Sequence, residues 1–145
     1  MTIKSVKKVT ENISKKKNKT TEFSFVLKVS KCGIGVFATH NIKKGTYLRL
    51  FSYETEATMD SFVRNKKDVP KFFRKYCVDM GDELICPKDF GRMEIGWYLN
   101  HSKTPNAYHR NCNYYALCDI KSSEEITIDY NTLEEPEEAK EDYYK

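Results

Sequence analysis

The sequence has no Cys-x-x-Cys pair, and its five cysteines, at positions 32, 77, 86, 112 and 118, are odd in number. No Cys/His spacing fits a zinc site, so no metal centre is expected, and scattered cysteines of this kind read as reduced thiols in a reducing compartment. Long apolar runs are missing as well: the longest covers a few residues, far short of the ~20 that a membrane helix needs. The stretch after Met1 is rich in lysine and has no apolar core, which predicts no secretory signal. No internal repeat is visible, and no third glycine opens a helix after Gly33-Ile34-Gly35, which removes a dinucleotide fingerprint. The expectation is an intracellular protein without a membrane partner, with nucleus and cytoplasm both open.

What is present suits one domain: 145 residues can bury a core without staples. The net charge of +4 is unevenly placed. Residues 1–20 carry seven lysines against the single acid Glu11 and read as a basic flexible arm. Residues 132–145 carry six acids against Lys140 and Lys145 and read as an acidic tail. Residues 21–131 lie between them as the domain. Its mild charge disfavours direct nucleic-acid binding, although the arm alone could touch an acidic surface.

Short β-patterned segments dominate. Phe23, Phe25, Leu27 and Val29 alternate with Glu22, Ser24 and Lys28, broken only by Val26, and predict a half-buried strand that Gly33-Ile34-Gly35 breaks. Val36–Thr39 resumes it, Lys43-Lys44-Gly45 turns, and Thr46–Tyr53 predicts another strand. Residues 58–76 form the best helical region, with Asp60 as a cap and Pro70 as an interruption. Leu84–Cys86, Ala107–His109, Tyr114–Ile120 and Ile126–Tyr130 are further strands, and Met93–Leu99 a short helix or turn. A mainly β domain with short helices follows.

Three segments carry candidate chemistry. Gly33-Ile34-Gly35 allows a ligand to approach the backbone closely, although alone it reads more readily as a plain turn between strands. Asn100-His101-Ser102-Lys103-Thr104-Pro105-Asn106 is a polar loop that Asn and His side chains can pin. In Glu124-Glu125-Ile126-Thr127-Ile128-Asp129-Tyr130, period two places Ile126, Ile128 and Tyr130 on one face. Tyr130 then stands at the strand's end with its hydroxyl at the edge of a cavity.

In this order the three segments resemble the SET-domain methyltransferase family: its Gly-x-Gly motif, its Asn-His-Ser-x-x-Pro-Asn motif and its closing Glu-Glu-(Leu/Ile)-Thr-x-x-Tyr motif. The resemblance spans about residues 23–131 and is nearest to compact stand-alone SET proteins such as those of large viruses and some bacteria. It implies a fold of several small sheets with a C-terminal pseudoknot. It implies transfer of a methyl group from S-adenosylmethionine to a protein lysine, with a histone as the family-level substrate. By the same resemblance Gly33, Ile34, Gly35, Asn100 and His101 would bind the cofactor, Tyr130 would be catalytic, and Phe51, His109 and Tyr130 would line the lysine channel. A homodimer completing the site is a further expectation.

The sequence also departs from the family. Lys103 stands where many relatives have a zinc-binding cysteine, and no Cys-rich tail follows Tyr130. Leu133, Tyr143 and Tyr144 are the apolar candidates for closing the site, and the acids around them could draw in a basic peptide. A SET fold acting as a peptide-binding scaffold, or a small nucleic-acid binder using the lysine arm, are the competing readings. The first predicts no need for cofactor, and the second leaves the three motifs without a role.

Overall fold

The computed structural model describes residues 18–51, 62–110, 113–133 and 135–144. Its strands are β1 Phe25–Ser30, β2 Gly33–Ala38, β3 Tyr47–Leu48, β4 Val63–Asn65, β5 Val78–Asp79, β6 Glu83–Ile85, β7 Asn100–His101, β8 Ala107–Arg110, β9 Asn113–Ala116 and β10 Glu125–Ile128. Among the described residues the helical pieces are all short 3-10 turns, including Lys71–Tyr76, Ile95–Tyr98 and Tyr130–Leu133. The strands form three small sheets, ordered β1-β2-β10-β7, β3-β9-β8 and β4-β6-β5. The architecture is the expected one: mainly β, in several small sheets, with short helices.

β10 organises the first sheet. It pairs antiparallel with β2 and parallel with β7, so its backbone is bonded on both sides. Ile126 and Ile128 are buried, as period two requires, and pack with Val36, Leu48, Leu50, Leu99 and Ile120 in the main core. The loop after β7 is lashed to the same strand. Ser102 donates its backbone N–H to Ile128 O at 2.9 Å. The Asn106 side chain donates to Glu125 O at 2.7 Å and accepts from Thr127 N–H at 2.9 Å, as a strand partner would. This is the pinning expected of the Asn100–Asn106 loop.

Several expectations need correction. The glycine pair does not break the strand: β1 and β2 pair from Phe25↔Ala38 to Ser30↔Gly33, and the turn is Lys31-Cys32. Gly33 leaves that turn at φ 103°, which side chains resist. β1 is not half-buried either. Only Phe25 reaches the core, while Phe23, Leu27 and Val29 are exposed, because the outer half of the hairpin extends past the sheet. The strand expected over Thr46–Tyr53 shortens to β3, since Leu50 N–H turns back onto Leu48 O at 2.9 Å; positions 52 and 53 lie outside the described residues. β9 likewise stops at Ala116, and Ile120 only bridges Ile42.

The helix expected over 58–76 is absent from its described part. Val63–Asn65 is β4, paired with β6, and two 3-10 turns follow, one on each side of Pro70. Pro70, which lacks the N–H a continuous helix would need, accounts for the interruption. Asp60 lies outside the described residues. Val69, Leu84 and Cys86 make a second small core beneath this sheet. Residues 18–20 also pack: Thr20 is buried, and Asn18 and Thr20 exchange backbone bonds with Tyr47.

Candidate active site

β2 and β7 meet at Asn100. Its Nδ2 donates to Glu125 Oε1 at 2.7 Å, to Ile34 O at 3.0 Å and to Ser30 Oγ at 3.1 Å. Two amide protons serve three acceptors, so this amide joins the end of β1, β2 and β10 at one point. None of the hydrogen bonds among the described residues uses Asn100 Oδ1. Gly35 sits directly against this junction. A Cβ there would collide with the Glu125 carboxylate and come within 3.2 Å of Asn100 Nδ2. The side of Gly33, by contrast, faces open space. Gly33, Ile34, Gly35 and Asn100 are thus one cluster.

His101, next on β7, turns its ring the other way. The Tyr130 backbone N–H donates to Nδ1 at 3.0 Å, which leaves the ring proton on Nε2. Asp129 Oδ1 stands 3.6 Å from Nδ1 and would favour a charged ring, but burial is the larger effect and holds the His101 pKa below its ordinary value. The ring is neutral near pH 7, so the contact with Asp129 is not an ion pair. Nε2 is buried, with no hydrogen-bond partner among the described residues. Around it stand Tyr130, Tyr144 and Tyr143, with ring centroids at 5.3, 5.5 and 6.2 Å.

Tyr130 begins the 3-10 turn just past β10 rather than continuing the strand. Its ring still packs on the main core, as the apolar period predicts. The hydroxyl donates to Leu99 O at 2.6 Å. Burial, followed by neighbouring Tyr143, pushes the phenol pKa well up, so the group stays neutral. On its other side Tyr130 borders a cavity of about 780 Å³. Phe51 and His109 line the same cavity, together with Trp97, Tyr114 and Leu133. Phe51 packs on Trp97 and Tyr114 with centroids 5.5 Å apart, and only a glycine at 96 leaves room for its ring. His109 Nε2 lies 3.0 Å from Thr132 O.

The structure therefore sorts the expected site residues into two groups. Phe51, His109 and Tyr130 share the cavity, whereas Gly33, Ile34, Gly35, Asn100 and His101 lie outside its lining. The His101–Tyr130 contact is where the groups meet.

A family model for the SET domain matches residues 33–131, from the first glycine to the residue after Tyr130. The chain belongs to the SET-domain family. Members of this family are generally S-adenosylmethionine-dependent protein-lysine methyltransferases. Among solved structures, the chain is similar to a Plasmodium falciparum protein given as a candidate histone methyltransferase. The identity is 22%, over 74% of this chain and 93% of that one, with a TM-score of 0.46. No curated protein matches the chain.

Sequence reasoning missed two parts of this SET domain. The first is a latch that docks the tail. Glu135 is buried; its carboxylate accepts from the Tyr144 hydroxyl at 3.1 Å and from Asp79 N–H at 3.2 Å. Asn131 Nδ2 donates to Tyr144 O at 2.7 Å, and Tyr144 is almost fully buried. Only the apolar neighbours signalled this, because an acid among acids gives no sign of burial. The second is the row of cations on Lys71–Tyr76 that borders the cavity, hidden by the helical reading of the segment. Among the described residues no three His, Cys, Asp or Glu side chains converge as metal ligands, and no helix is long and apolar enough to cross a membrane.

Proposed function

We propose that this SET domain is an active protein-lysine N-methyltransferase that uses S-adenosylmethionine, with Tyr130 as its catalytic residue. The observation that carries this reading is the position of Tyr130: its ring contacts His101 of the motif cluster on one side and borders the aromatic cavity on the other. Cofactor on one side and lysine on the other would meet at this phenol.

The residues present fit the cofactor. The open flank of Gly33 leaves backbone accessible, Asn100 Oδ1 has an acceptor to offer an ammonium group, and the buried His101 Nε2 has a proton to offer. When bound, S-adenosylmethionine supplies the methyl group as an electrophile.

The chain's own residues then have definable tasks. The Tyr130 proton is held by Leu99 O, which fixes the phenol and leaves oxygen lone pairs to accept contact from a polarised methyl group. Phe51, Trp97 and Tyr114 form apolar walls that disfavour an ammonium ion, lowering a lysine's pKa from about 10.4 toward the neutral amine needed for attack. The cavity is open, so the lysine proton can leave to water without a dedicated base. Alignment of amine and methyl carbon is the main contribution and can supply several kcal/mol. Tyr143 and Tyr144, docked by the latch, act as the closing wall that a zinc-bound tail forms in many relatives.

The test is transfer of labelled methyl groups to histones and to a whole-cell lysate, with mass spectrometry of the modified residue. Lysine labelling that disappears with Tyr130→Phe supports the reading. Calorimetric absence of S-adenosylmethionine binding would favour a peptide-binding scaffold instead.

A further inference from the structure

The charge around the cavity is opposite in sign to that of the tail that helps to build it. Lys66, Lys71, Arg74, Lys75 and Arg110 line the cavity, against Asp79, Glu135 and Glu141. Two of these charges cancel, because Lys66 Nζ lies 2.6 Å from Asp79 Oδ2. Glu135 is buried in the latch, turned toward Tyr144 and the Asp79 backbone. Among the described residues, what remains of the lining charge is Lys71, Arg74, Lys75 and Arg110 against Glu141. The other described acids of the tail, Glu137, Glu138 and Asp142, do not line the cavity.

Three of these cations stand on one wall, the 3-10 segment Lys71–Tyr76. Two are held in place. Arg74 Nε donates to Val69 O at 2.9 Å, and Lys75 Nζ lies over the Phe72 ring at 4.8 Å and the Tyr76 ring at 5.1 Å. Neither contact neutralises the charge. Phe72 itself is 68% exposed beside them. The wall thus offers fixed positive charge with an apolar contact at its edge.

We propose that the substrate segment of this enzyme is acidic: the target lysine is flanked by Asp or Glu residues that seat on Lys71, Arg74 and Lys75, rather than by the basic residues of a histone tail. The proposal rests on the methyltransferase reading and names the substrate class of that site. It reverses the sequence-based expectation that acids near the tail draw in a basic peptide. Like charges at the rim would repel an Arg- or Lys-rich segment, whereas acidic flanks find partners and are steered toward the mouth. The same cations disfavour a protonated lysine entering beside them, which assists its deprotonation.

The experiment compares three short fluorescent peptides, each with one central lysine flanked by Glu, Gln or Arg, using the full chain and a Lys71→Glu/Lys75→Glu variant. Both transfer with S-adenosylmethionine and equilibrium binding by anisotropy are measured, at low and high salt. The Glu-flanked peptide should exceed the Arg-flanked one about tenfold in kcat/KM and in affinity, the scale of a few exposed charge pairs, and salt should narrow the gap. The variant should invert the order. Transfer with equal or opposite preference overturns the acidic-substrate inference and leaves the methyltransferase reading standing. Absence of transfer to any peptide sinks the methyltransferase reading and with it this proposal, whatever the binding order. A single-stranded oligonucleotide of matching length that binds the rim more tightly than the Glu-flanked peptide, and loses this in the variant, also overturns it.

Discussion

Tyr130→Phe removes one oxygen atom, and the structure separates its two effects by size. The first is structural. The lost O–H bond to Leu99 O, 2.6 Å long, is neutral on both sides, and a bond of this kind is worth about 1 kcal/mol net. Leu99 is buried, so its carbonyl is left without that donor, which places the cost at about 1–2 kcal/mol. A domain with the usual ~5–15 kcal/mol of stability stays almost wholly folded after such a loss, with a melting temperature lowered by several degrees. The second effect is on turnover. Loss of a preorganised polar group at the reacting centre costs about a hundredfold, or about 2.7 kcal/mol of barrier. Unfolding cannot imitate that drop, because the folded fraction barely changes. Single-turnover methyl transfer, calorimetric cofactor affinity and thermal melting on the same preparation make the comparison. Turnover within a few-fold of the parent at a lowered melting temperature would refute the catalytic assignment and leave Tyr130 a packing residue.

Asn100→Ala should weaken S-adenosylmethionine binding by about 1–3 kcal/mol, since the amide that joins Ser30, Ile34 and Glu125 is lost; calorimetry with the cofactor decides, and an unchanged affinity would detach the junction from the cofactor. The latch predicts a pH dependence. Burial raises the Glu135 pKa, so its ionised form is disfavoured in the folded state, and stability falls as pH climbs from the ordinary carboxylate value through the raised one. Melting temperatures of the parent should therefore rise relative to Glu135→Gln as pH falls from neutrality toward the ordinary carboxylate value. His101 titrates in both proteins, cancels in the difference, and by itself lowers stability as acid forces its buried ring to charge. A flat difference would show that the latch is not titrating. Truncation after Leu133 should cut transfer at least about tenfold through loss of the Tyr143–Tyr144 wall, while removal of residues 1–17 leaves short-peptide turnover nearly intact; the reverse ranking would misplace the wall.

The legibility of this chain in its sequence follows the range of the interactions involved. The alternation Ile126-Thr127-Ile128 is a local signal and became the strand it suggested, because β10 is bonded on both sides and buries one face. The segment Asn100–Asn106 read as a polar loop, yet its first two residues pair with β10 as β7. Residues 62–76 misled because their mixture of lysines and aromatics satisfies a helix locally. Pairing of β4 with β6, some 20 residues further on, decided otherwise, and only tertiary contact could show it. The exposed half of β1 misled for the opposite reason: its apolar alternation is real, but no partner layer covers it. Phe51 and His109 were placed beside Tyr130 by family resemblance alone. Nothing in their own neighbourhoods says that chain positions so far apart line one cavity.

The parallel pairing of β7 with β10 also sets a schedule for biosynthesis. Thr127 pairs with Asn100 and Ile126 with Val36, so the strand that holds the two motifs together leaves the ribosome only after both of them. Until then the β1–β2 hairpin and the Asn100–Asn106 loop have no common partner, and the Asn100 junction lacks its Glu125 acceptor. Contacts that distant in sequence close slowly, and hairpins left waiting are exposed to mispairing meanwhile. The exposed Leu27 and Val29 on the β1 hairpin would make that interval hazardous. A nascent chain stalled before residue 125 should accordingly be recognised by chaperones as unfinished, and maturation of the site should be an all-or-none event timed by the emergence of β10.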